Sequence, residues 1–214
     1  MLFDGWDTIP TGTFEARLGA LAEAGGRFLW TEPSRAALAG GLRGEGEVAV
    51  RAAVLLGHSR HVSSAELLVE RLEERAVATA RPLDAGDVVA AAALSRPGLR
   101  RGLTRRLEVL VVGEEPHPDL EVRVEIARTV LGHGRDTVAP FLLRVLRAGT
   151  PAELEHPPDW ERTTNLFWAK TRGAEALSRH VGVPCAFRPD SAWEEQMAEA
   201  DRLEGKLKAA AERR

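Results

Sequence analysis

The chain is poor in several residue types, and each shortage closes off a class of protein. It has one cysteine, which excludes a disulfide framework and any multi-cysteine metal site, and makes a reducing, cytoplasmic setting the expectation. Lysine occurs only at Lys170, Lys206 and Lys208. With 29 basic against 32 acidic residues the formal net charge is −3. That balance argues against a surface wholly given to nucleic acid and leaves room for a local basic patch. No apolar run reaches the roughly 18–20 residues that span a bilayer, so no membrane association is expected. The opening MLFDGWDTIP has neither a basic start nor an apolar stretch ending in small residues, so it does not read as a secretory signal. Strict two-residue alternation persists nowhere, which removes any plausible run of strands. What is present is 44% hydrophobic residues over 214 positions. That is enough for a sizeable core, and the length favours one domain over 1–214.

The apolar pattern is helical. VAVRAAVLLG, from Glu47, is dense in small and branched residues up to Gly57, a helix-stop signal. Ser63 and Glu66 form a capping box for a helix to about Thr79, and Pro82 breaks the chain beyond it. Asp84 and Asp87 bracket a start that runs to Pro97. From Gly98, Leu99, Leu103, Leu107 and Leu110 make one apolar stripe to about 112. Asp119 caps a helix ending at Leu131-Gly132, with Gly132 expected in the left-handed conformation after it, and another covers 136–147. Thr150-Pro151-Ala152-Glu153 predicts a single turn. A long helix runs from Asp159 to about His180. Ser191 and Glu194 form a second capping box before a helix holding Trp193, Met197, Ala200 and Leu207. The prediction is all-α, with about ten helices.

The helices also repeat. Leu56, Leu94, Leu131 and Leu177 fall at equivalent phases, separated by 38, 37 and 46 residues. The last interval is lengthened by a Pro-rich insert at 150–158. LLGHSR at 55–60 echoes VLGHGR at 130–135, and AAALSR at 91–96 echoes AEALSR at 174–179. A period near 37 residues holding two helices predicts stacked helix pairs, each resting on its neighbours.

VRVEIARTVLGHGRDTVAPFLL, residues 122–143, resembles a HEAT repeat of the bacterial, PBS-lyase-like type. That pattern has Val-Arg and small residues on the first helix, Leu-Gly at its end, Gly-x-Asp in the turn and Ala-Pro-x-Leu opening the second. VRAAVLLG at 50–57 matches the first half, although its second half lacks the turn Asp and the Pro. The resemblance implies a short α-solenoid of stacked antiparallel pairs, clearest over 47–148, with an N-terminal cap at 1–46 and a C-terminal cap at 159–214.

Candidate chemistry is sparse. Gly-rich 39–49 lies after a helix and beside Glu45 and Glu47, which suits a connection and not a phosphate cradle. HEAT-like iron hydroxylases bind metal through His-Glu pairs, and none of the six histidines here precedes a Glu. His58 and His133 recur just past a helix-ending glycine, where a cation suits the negative helix end. Cys185 is expected to pack in the interior. Trp160, Phe167 and Trp168 share one helix with Trp193 on the next, and core packing at the C-terminal end is expected of them. HEAT-like DNA glycosylases line a cationic groove with such rings beside a carboxylate, for which Asp159 or Glu161 would serve. The acidic total and the scarcity of lysine stand against that use.

The basic run Arg96, Arg100, Arg101, Arg105 and Arg106 is uninterrupted by acid. At 100° per residue Arg101 and Arg105 fall opposite the leucine stripe, with Arg100 and Arg106 on its flanks. In a HEAT-like stack the second helices, here 63–79, 98–112 and 136–147, line the concave side. Glu66, Glu70 and Glu73 would then lie beside Arg101 and Arg105, with Arg144 and Arg147 following. The expectation is a non-catalytic scaffold binding another protein through Arg100, Arg101, Arg105, Arg106, Arg144, Glu66 and Glu70, without metal or cofactor. A nucleic-acid-binding protein or DNA glycosylase using the Arg run and the Trp cluster is the alternative. A weaker third reading is a lyase-like or chaperone subunit handling a prosthetic group, for which HEAT-like relatives exist.

Overall fold

The computed structural model describes residues 31–59, 61, 63–77, 85–95, 99–149 and 163–213; the side chains of 163–165 are left aside. Among them every regular element is helical: α1 Glu32–Arg43, α2 Glu47–His58, α3 Ser63–Val77, α4 Ala85–Ala93, α5 Arg101–Val112, α6 Leu120–Gly132, a 3-10 turn Asp136–Val138, α7 Ala139–Arg147, α8 Thr163–Val181 and α9 Trp193–Ala211. The protein is all-α. No helix among the described residues is long and apolar enough to cross a membrane. The chain divides into two compact units, Met1–Arg106 and Leu107–Arg214, with the boundary inside α5.

In the first unit, α1 is the helix expected ahead of the Gly-rich stretch 39–49, and it runs on into that stretch as far as Arg43. Thr31 caps it by accepting the Ser34 N–H, and Pro33 stands in its first turn. Gly46, at φ 58°, turns the chain into α2. α2 is buried on most sides through Ala49, Val50, Ala52, Ala53, Leu55 and Leu56. Those small side chains let the alanine-rich α4 pack close against it. Gly57 does not stop α2, which continues to His58; it serves instead as the point of approach to Ala93. α1 packs on α2 and α3, and α3 on α2 and α4. The charge balance inside this unit was not foreseen. Asp87 is buried on α4, with Oδ1 accepting from Arg71 Nε at 2.8 Å and Oδ2 from Arg75 Nε at 2.6 Å. Both arginines are themselves buried. Asp87 was expected only to mark a helix start; its carboxylate also ties α3 to α4.

In the second unit, Asp119 caps α6 as the sequence predicts, its Oδ1 accepting the N–H groups of Glu121 and Val122 at 2.8 and 3.2 Å. Nearly all of α6 is buried, including Val122, Val124, Ile126, Ala127 and Val130. It packs on α7 and α8, and α9 packs on both of those. Arg123 reaches the Val111 carbonyl at 2.9 Å and lies 4.5 Å from the centroid of the Phe141 ring. Glu108, also buried, accepts from Arg135 Nε and Nη2 at 2.6 and 2.7 Å and from Thr137 Oγ1 at 2.5 Å. His180 Nε2 lies 2.7 Å from Asp136 Oδ1. These links fasten the segment between α6 and α7 to its own unit.

Several boundaries differ from the expectation for local reasons. The left-handed residue after α6 is Gly134, at φ 76°, and not Gly132, which remains helical. Ser191 does not cap α9: Ala192 is the cap residue, and the Ser191 hydroxyl donates to the Arg188 carbonyl. α5 starts at Arg101, three residues beyond Gly98. Leu56, Leu94, Leu131 and Leu177 are all buried, and each lies within four residues of the C-terminal end of α2, α4, α6 or α8. The single turn expected at 150–153, and the starts expected at Asp84 and Asp159, lie outside the described residues.

Candidate functional site

The flank and face assignments on α5 separate its arginines into two kinds. Arg106, on the flank, meets Glu73 of α3 through two hydrogen bonds, Nε to Oε1 at 2.7 Å and Nη2 to Oε2 at 2.5 Å. That fork-on-fork pairing holds the Arg106 guanidinium above its ordinary pKa; partial burial opposes it, and the fields of Glu73, Glu70 and Glu66 add to it. On the other flank, Arg100 Nη1 stands 3.9 Å from Glu66 Oε1, a loose and exposed pair. Arg101 and Arg105 are exposed, and neither has a carboxylate partner among the described residues. The glutamates of α3 therefore reach Arg100 and Arg106 and leave Arg101 and Arg105 to solvent. Glu70 is exposed between them in sequence and contributes only its field.

In the second unit, the two expected α7 cations also part company. Arg147 donates from Nη2 to Asp201 Oδ1 and to Glu204 Oε2, both at 2.6 Å, so it serves the docking of α9. Arg144 is exposed. Glu204 is shared between Lys208 and Arg147. Their hydrogen bonds, that of Lys208 first, hold its carboxyl down to about 2.

The aromatic cluster is not the core that was expected. Phe167 is 52% and Trp193 44% exposed, while Trp168 is half-buried with the Arg172 guanidinium 5.9 Å from its ring centroid. Beneath Trp193 lies a residue that composition alone would have assigned to the surface. Lys170 is buried, its Nζ 3.1 Å from Gln196 Oε1 and 4.9 Å from the centroid of the Trp193 ring. The signal was available: Lys170 falls between Leu166, Ala169, Gly173 and Ala174, on the buried side of α8. Arg71 and Arg75 likewise sit among Leu68 and Leu72 on the buried face of α3. Trp160, Asp159, Glu161 and Arg96 lie outside the described residues.

Cys185 is exposed, contrary to the packing role expected of it. The loop on either side of it is pinned to α9: Arg202 Nη2 donates to the Pro184 carbonyl at 3.0 Å, and the Ala186 N–H donates to Glu199 Oε1 at 3.3 Å. With both neighbours held by backbone bonds, the short side chain is turned outward. Two histidines act locally. His61 Nδ1 accepts the Ser63 N–H and His117 Nδ1 the Asp119 N–H, so each satisfies a backbone donor two residues on, at the entrance to a helix. His58 ends α2, and His133 is the cap residue of α6.

Among the described residues no group of three or more His, Cys, Asp or Glu side chains could hold a metal ion. A shallow cleft of about 220 Å³, open solvent included, is lined by Ala39, Leu42, Leu67 and Arg71 and rimmed by the Arg43–Glu74 pair at 3.7 Å. It is smaller than the pockets that usually enclose a small molecule. No family model, no curated protein and no solved structure matches this chain.

Proposed function

We propose that this protein is a HEAT-like α-solenoid module that binds another protein and carries out no chemistry of its own, in a reducing, cytoplasmic setting. Three features support the architecture. Within the first unit helices two apart in sequence pack on each other, α1 on α3 and α2 on α4. The second unit repeats the arrangement with α6 on α8 and α7 on α9. Four phase-marking leucines lie within four residues of the C-terminal ends of alternate helices, and the motif VLGHGRDTVAPFLL spans the α6–α7 turn. Stacked pairs of this kind offer a concave surface lined by their second helices to a partner.

The observation that carries the role is the unequal treatment of the arginines on α5. Arg106 is neutralised in place by Glu73, while Arg101 and Arg105, one turn apart, face solvent without a carboxylate partner among the described residues. Affinity purification from the native host tests the reading. One protein recovered in stoichiometric amount supports it when recovery falls on raising the salt concentration. Recovery of nucleic acid alone, or turnover of a co-purified metabolite, overturns it.

The exposed rings of Phe167 and Trp193 favour a second reading, a nucleic-acid-binding protein or base-excising glycosylase. Stacking platforms of that type work beside a basic groove. Here the lysine beside Trp193 is buried under the ring and held by Gln196, so it offers no phosphate contact. Retention on heparin or duplex DNA with steep salt dependence would restore this reading.

A further inference from the structure

Resting on the interaction-module reading, we infer that the Arg101–Arg105 face of α5 receives an acidic helix, one that presents two carboxylates a single turn apart. The two arginines are four residues apart on one helix, so their guanidinium groups spring from points roughly 6 Å apart along its axis. Both point away from the buried Leu103. A partner helix with Glu or Asp at i and i+4 repeats that spacing, so two fork-shaped bonds can form without strain on either side.

The surroundings narrow the choice of partner. Glu66, Glu70 and Glu73 line α3 in the same unit, and two of them already engage Arg100 and Arg106. Phosphodiester chains gain affinity by engaging many cations, commonly about 6–10. Among the described residues only two are unengaged on this face, and the glutamates would repel a continuous line of phosphates. A protein helix carries its charges discretely. Two carboxylates can meet Arg101 and Arg105 while a basic residue on the same helix meets Glu70, which is exposed and lacks an ion-pair partner among the described residues.

The probe is a stapled, alanine-based helix of about 16 residues, stapled because so short a helix is marginal in water. It bears two glutamates four residues apart. Its isomer has them two residues apart, on opposite faces. Binding is read from the arginine Nε–H resonances of the full chain during titration. The expected result is that the first peptide binds at least about fivefold more tightly than its isomer. That preference vanishes in Arg101→Glu/Arg105→Glu and survives in Arg144→Glu, both variants retaining the parent helical spectrum. Equal binding of the two peptides, or a preference that survives the double substitution, overturns the inference and leaves the interaction-module reading standing. Duplex DNA that displaces the peptide, with a steep salt dependence lost in the double variant, overturns both.

Discussion

Gly57 on α2 lies so close to Ala93 on α4 that a Cβ built on the glycine would stand 2.7 Å from the Cβ of Ala93 and 3.2 Å from its carbonyl oxygen. No L side chain fits there without moving backbone. Gly57→Val is therefore expected to push α2 and α4 apart and to destabilise the first unit by about 1–3 kcal/mol. A urea or thermal melt measures it, and an unchanged midpoint would mean that the two helices do not meet at this point.

Gly132 and Gly134 supply a paired test of the turn after α6. Gly132 is helical, with open space where a Cβ would stand; Gly134 holds φ at 76°. Gly132→Val is expected to change stability by no more than about 0.5 kcal/mol. Gly134→Val forces a β-branched residue into the left-handed region and is expected to cost about 1–3 kcal/mol. Equal losses in the two melts would contradict the assignment.

Asp87 answers two buried guanidinium groups. Asp87→Ala removes both hydrogen bonds at once and leaves Arg71 and Arg75 without that carboxylate in a region closed to water. The expected loss is about 3–5 kcal/mol. Replacement of the three by apolar residues of similar volume is expected to recover much of it. A triple variant no more stable than Asp87→Ala would show that the ionic triad is not replaceable by packing.

Cys185 is expected to react with a thiol reagent in the folded protein at a rate within about tenfold of that in denaturant, because it lies on the surface of a pinned loop. Labelling that waits for global unfolding would contradict the exposure.

Glu204 bears on acid sensitivity. Its carboxyl is depressed to about 2 by the hydrogen bonds from Lys208 and Arg147. A depressed carboxylate contributes stability that is fully present above its unfolded value, near 4.3. That contribution is lost as pH falls from there towards 2. NMR titration is expected to find a Glu204 midpoint well below its value in the unfolded chain, moving upward in Arg147→Ala and in high salt. A midpoint near 4 in the parent would mean that the shared pairing does not form in solution.

Periodicity and local helix capping were legible in the sequence. The helical class, the Asp119 cap, the phase of the leucines and the division of the α5 arginines into face and flank all follow from 3.6-residue geometry, which acts over a few neighbouring positions. Thr31 with Pro33 is equally legible as the start of the helix that precedes the Gly-rich stretch. What tertiary structure decided is the environment of residues whose local pattern is ambiguous. Arg71, Arg75 and Lys170 are charged residues on buried helix faces, and only the arrival of Asp87, Gln196 and Trp193 from other helices makes their burial tolerable. Phe167 and Trp193 are apolar residues that the packing of the helices leaves exposed. Cys185 faces outward because Arg202 and Glu199 seize the backbone on both sides of it. Local sequence determines the helix and its stripe; which charge is answered, and by whom, is decided where separate helices meet.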